Sequence, residues 1–148
     1  MSEFDELGDR LLVIFDGHCG FCNGSVRWSL RRDRFDRLRF IASESPRVSG
    51  LLVRLGISAL DSPSGPGSIV VIREPDRPSE QVLVRSSAVI AILAALPGPW
   101  PALAFVLSCI PRPLRDFGYQ IVARLRYRIW GRLESCPLPT PAERARFL

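Results

Sequence analysis

An α/β fold with a helical C-terminal extension is predicted by three observations. A continuous apolar run, "LLVIF" at Leu11 to Phe15, stops at Asp16-Gly17 and leads straight into a helical pattern. Strand and helix patterns follow one another in the order β-α-β-α-β-β-α as far as Leu96, and helical patterns continue from there to Leu133. With 148 residues, 47% of them hydrophobic, the chain has enough apolar material for one core. One domain is therefore expected over residues 1–148, with its α/β core at 10–97 and the extension at 98–148.

The apolar run reads as a buried strand closed by a turn. In "CNGSVRWSLRRDR", Val26 and Leu30 lie four apart with arginines between them, a helical pattern. "LRFIA" at Leu38 to Ala42 is a second strand, and strand, helix, strand implies a right-handed parallel crossover. "SPRVSGLLVRLGI" places Pro46 near the start and Gly56 near the end of a second helix. "SIVVIR" and "QVLVR" are strands separated by the turn-rich "EPDRPSE", and "SSAVIAILAAL" is a helix with a serine to cap it. The order β-α-β-α-β-β-α describes a thioredoxin-like sheet with helices on both faces.

From Ser86 to Pro111 there is no charged residue. Pro97, Gly98, Pro99 and Pro101 divide this stretch into pieces of about eleven residues, each too short to span a bilayer as a helix. The stretch reads as two buried helices meeting at a tight corner, or as a hairpin that dips into a membrane surface or a partner.

All 20 basic residues are arginine. Without lysine, neither a Schiff-base amine nor a Walker-type phosphate loop can be built. With His18 as the sole histidine, a His-x-x-x-His zinc protease site is excluded too. Residues 112–133 carry six arginines against Asp116 alone, a surplus equal to the net charge of +5 of the whole chain. In the same segment Leu114, Phe117, Ile121, Leu125 and Ile129 recur at spacings of three and four, so it is a basic amphipathic helix. Peripheral contact with anionic lipid suits this pattern, and so does a solvated arginine face over a core stripe. No nucleic-acid motif accompanies the arginines, so nucleic acid is not an expected partner.

The chemistry concentrates in "FDGHCGFCNG". Cys19 and Cys22, three apart at the start of a helix, face the same way at a Cα separation of roughly 5 to 6 Å, which suits a disulfide. The free N–H groups and positive dipole end of the helix favour thiolate, so Cys19, nearer the start, is the expected nucleophile and Cys22 the resolving thiol. His18, if protonated, would favour the Cys19 thiolate, and otherwise it is a surface turn residue. Asp16 cannot activate Cys19, because a negative charge raises a thiol's pKa. It is left with two roles: a turn or cap at the helix start, or a partly buried base that takes the proton of Cys22.

Rival readings of the pair are a zinc site and two inert thiols. Zinc needs two more ligands, and Cys109 and Cys136 are isolated from each other, with Cys109 in an apolar helix where a thiol behaves as a small hydrophobe. No metal and no cofactor is expected. Cys136 has no assignable role, and nothing supports a second resolving thiol there. The acidic, polar N-terminus lacks the features of a secretory signal, so a reducing cytoplasmic location is expected, where a structural disulfide is disfavoured.

"DGHCGFC" resembles the Asp-x-x-Cys-x-x-Cys signature of the DCC family of thiol-disulfide oxidoreductases, which is thioredoxin-like. The similarity runs from Leu11 to Phe147 through "RFIAS", "VRSSAVIAIL", "IPRPLRD", "RYRIWGR" and "CPLPTP". It implies that Asp16, Cys19 and Cys22 are the signature positions and that the substrate is a protein or small-molecule thiol or disulfide. Two departures are visible. Gly67 and Ser68 stand where thioredoxins carry the proline before the third strand, with Pro66 further back, so no cis bond is implied there. The dipeptide Gly20-Phe21 replaces Gly-Pro, so the thioredoxin reduction potential does not carry over. A non-catalytic membrane- or protein-binding module on the same fold remains the alternative.

Overall fold

The computed structural model describes residues 4, 7–15, 20–42, 45–55, 69–75, 77–84, 86–130, 141 and 144–147. The apolar run forms β1 (Leu11–Phe15), and all five of its residues are buried. It is followed by α1 (Gly20–Arg32), β2 (Leu38–Ala42), α2 (Pro46–Leu55), β3 (Val70–Arg73), β4 (Gln81–Val84), α3 (Ser86–Ala95), α4 (Trp100–Ser108) and α5 (Arg112–Trp130). Among the described residues this is a mixed four-stranded sheet with five α-helices, compatible with a thioredoxin-like fold.

The strands lie in the order β2-β1-β3-β4. β1 pairs parallel to β2, while β3 runs antiparallel to both β1 and β4. Side chains of β1 alternate between two cores, which is why its sequence is apolar without interruption. Leu11, Val13 and Phe15 face a core shared with Val26 of α1, Ala88 and Ile92 of α3, and Ala104 of α4. Leu12 and Ile14 face the opposite core, with Val48 and Leu51 of α2 and with Phe4 and Leu7. Trp28 of α1 packs edge-on against Trp100 at 4.6 Å, and the Arg32 guanidinium lies over the Trp28 ring at 4.3 Å.

The junction of α1 and β2 is fixed by two aspartates. Asp33 is fully buried, and its carboxylate accepts hydrogen bonds from the amides of Arg37 and Leu38, each at 3.0 Å. Arg146, in a 3-10 turn at Arg144–Arg146, completes the set by pairing with Asp33 Oδ2 at 3.1 Å. Phe147 then bridges to Phe40 alongside the edge strand β2 and contacts the rings of Phe15 and Phe40. A C-terminal segment thus covers an edge that would otherwise present unpaired backbone groups.

Asp36 holds φ +55, a conformation that Asp and Asn tolerate better than most residues. The hydrogen bond from Arg39, then the charges of Arg39 and Arg146 and the bond from Arg10, hold its carboxyl at about 2 against an ordinary 3.8, although partial burial acts the other way. A lowered folded-state pKa contributes stability that is complete above pH 4 and is lost as pH falls through about 2. Asp36→Asn is expected to melt below the parent at neutral pH, with the gap closing between about pH 4 and pH 2. The gap is modest because the side chain is 42% exposed and screened. Thermal melts across that window check the trend, and an acid-independent gap would contradict it.

Three expectations for the C-terminal half are corrected. α3 is buried as expected, but α4 buries only Ala104 and exposes Leu103, Phe105 and Val106, and Ile110 beyond it is exposed too. The residues read as a core stripe on α5, Leu114, Phe117, Ile121, Leu125 and Ile129, also face solvent. The inward side of α5 instead carries the half-buried Arg115, Asp116 and Tyr119. Cys109, expected inside an apolar helix, is an exposed free thiol at the C-terminal cap of α4.

Candidate functional site

One end of the sheet gathers the parts that a site needs. β1 ends at Phe15, which is in register with Ala42, the last residue of β2. Ile14 pairs with Val70, the first residue of β3, and Val70 pairs with Val84, the last of β4. The C-terminal ends of β1, β2 and β4 and the start of β3 therefore share this pole. α1 begins beyond β1 at Gly20, and α3 begins beyond β4 at Ser86. Both helices turn their N-termini, with free amides and positive dipole ends, toward the side where the chain leaves the sheet.

Cys22 is the third residue of α1. Asp16, His18 and Cys19 lie outside the described residues, as do Cys136 and the segment holding Pro66, Gly67 and Ser68. In the chain, Cys19 immediately precedes Gly20, the first residue of α1.

The pole is also bound to α5 by two contacts that sequence reasoning missed. The Tyr119 hydroxyl accepts a hydrogen bond from the amide of Ile69 at 3.0 Å, directly before β3. Ser86, the buried first residue of α3, donates its hydroxyl proton to Asp116 Oδ1. Asp116 and Tyr119 are three apart, so they share one face of α5. Polar groups opposite an apolar stripe mark any amphipathic helix, so the sequence carried no signal that the polar side of this one turns inward. α5 packs on α1 and α3 as well, which makes it a structural part of this pole.

Among the described residues no group of three or more His, Cys, Asp or Glu is placed to hold a metal ion. Among them, too, no helix is long and apolar enough to cross a membrane.

The chain belongs to the DCC1-like thiol-disulfide oxidoreductase family, whose model matches residues 13–132. It is 39% identical to a chloroplastic DCC family protein of Arabidopsis thaliana over 137 residues, 93% of this chain and 74% of the relative. It is 32% identical to the uncharacterized protein YuxK of Bacillus subtilis strain 168 over 144 residues, 97% of each chain. No solved structure matches it. Membership of this family points to a redox role.

Proposed function

We propose that the protein is a thioredoxin-like thiol-disulfide oxidoreductase of the reducing cytoplasm, one domain over residues 1–148, that cycles Cys19 and Cys22 between dithiol and disulfide. The observation that carries this reading is the start of α1 at Gly20, one residue past Cys19 in the chain and two before Cys22. A cysteine at the opening of a helix is favoured as thiolate by the free amides and the dipole, and one a turn further in is within reach of it.

The Cys19 thiolate attacks one sulfur of a substrate disulfide. A Cys19–substrate bond forms as the substrate S–S bond breaks, and one substrate thiolate leaves. The Cys22 thiolate then attacks the Cys19 sulfur, forms the intramolecular disulfide and releases the second substrate thiolate. Two electrons pass from the pair to the substrate, and the reverse sequence oxidises a substrate dithiol. Asp16 serves either as the cap of the turn into α1 or as the acceptor of the Cys22 proton, and His18, when protonated, favours the Cys19 thiolate.

The test is a redox titration of the full chain in a series of glutathione buffers, read by thiol alkylation and mass spectrometry. A reversible two-electron transition confined to Cys19 and Cys22 is expected, and its midpoint tells whether the protein tends to reduce or oxidise its partners. A pair that stays alkylatable throughout the series would remove the oxidoreductase reading.

A further inference from the structure

We propose that the outer face of α5 docks on an anionic lipid surface. The inference is independent of the thiol chemistry. An amphipathic helix of a globular protein ordinarily turns its apolar stripe to the core. In α5 the arrangement is reversed, with the polar Asp116 and Tyr119 directed to the pole and Leu114, Phe117, Ile121 and Leu125 directed to solvent. The exposure is substantial: Phe117 is 65% exposed and Ile129 61%. Large apolar side chains left in water at regular spacing along one side of α5 mark an interaction surface rather than scattered surface residues.

Charge identifies the occupant. Arg112, Arg124 and Arg128 are exposed on the same helix. From residue 86 to residue 133 Asp116 is the only acid, and it is engaged by Ser86. On a helix of 3.6 residues per turn, Arg124 and Arg128 fall beside Phe117 and Ile121 on the outward side. A helix with this composition lies in the plane of a membrane interface, its apolar side chains in the headgroup and acyl boundary and its guanidinium groups at the phosphates. Against a second copy of the same face, the arginines would meet arginines without acidic partners. Anionic phospholipid is the surface that satisfies both components.

The full-length protein is mixed with vesicles of phosphatidylcholine containing one third phosphatidylglycerol, or of phosphatidylcholine alone, and sedimented. It is expected to travel with the anionic vesicles, to do so less as salt is raised, and to remain free of the neutral ones. Phe117→Ser with Ile121→Ser, and separately Arg124→Glu with Arg128→Glu, change exposed positions and so leave the fold intact by circular dichroism. Each pair is expected to weaken binding at least ~10-fold. The Cys19→Ser variant is expected to bind as the parent does, which separates this proposal from the redox reading. Absence of binding to anionic vesicles would overturn it, as would binding unchanged in both double variants. Sedimentation velocity showing a dimer that Phe117→Ser with Ile121→Ser dissolves, without vesicle binding, would instead assign the face to a second copy of the chain.

Discussion

With glutathione disulfide as oxidant, Cys22→Ser is expected to accumulate one glutathione per chain on Cys19, whereas Cys19→Ser is expected to lose exchange activity by at least ~10³-fold, the order of loss seen when a covalent nucleophile is removed. The asymmetry follows from the two-step exchange. Serine at position 22 leaves the attack on the substrate intact but removes the only thiol one helical turn away that can resolve the mixed disulfide. Serine at position 19 removes the group that forms the first S–S bond, so no intermediate arises. Both variants belong in a background with Cys109→Ser and Cys136→Ser. Cys109 is exposed at the end of α4 and would take up glutathione whatever the chemistry at the pole. Intact-mass spectrometry after a brief exposure reads the adduct, and an insulin-type disulfide reduction assay reads turnover. Equal adduct formation in both variants, or turnover retained by Cys19→Ser, would show that the order of the two thiols is wrong.

How much of this was legible in the sequence depended on how local each signal is. "LLVIF" was legible as a buried strand because a five-residue apolar run closed by Asp16-Gly17 is too short for a helix, and β1 contributes to two cores. The Cys-x-x-Cys spacing at a strand-to-helix junction was readable for the same reason, since it is a property of a few adjacent residues. The stripe on α5 was legible as a period but not as a direction. Spacings of three and four establish that one side of a helix is apolar, and only the tertiary arrangement decides which side is turned inward. Here the ties of Asp116 to Ser86 and of Tyr119 to Ile69, across 30 and 50 residues, turn the polar side in. Cys109 was misplaced through the same ambiguity, because an uncharged helix does not announce whether anything covers it. Asp33 and Arg146 are 113 residues apart, and no local pattern connects them.

That last pair joins the C-terminal segment to the entry of β2. Asp33→Ala is expected to cost about 2 to 4 kcal/mol, chiefly because a buried donor left without its acceptor costs about 1 to 3 kcal/mol. Three groups lose their acceptor at once: the amides of Arg37 and Leu38 at the entry to β2, and the guanidinium of Arg146. The Leu38 amide is buried and has no replacement, whereas the Arg37 amide lies at an exposed residue and Arg146 is 25% exposed and keeps Asp36 at 3.3 Å. Arg146→Ala is therefore expected to cost less than Asp33→Ala, because the Asp33 carboxylate would still accept two backbone hydrogen bonds. Urea unfolding of the two single variants and the double variant gives the coupling directly. Coupling also predicts that Phe147 loosens with Asp33→Ala, since Arg146 holds that residue against Phe15 and Phe40. Faster exchange of the Phe147 amide in Asp33→Ala than in the parent would report it. An Asp33→Ala protein within ~0.5 kcal/mol of the parent, the range of an ordinary surface substitution, would mean that this buried junction does not hold the C-terminal segment to the sheet.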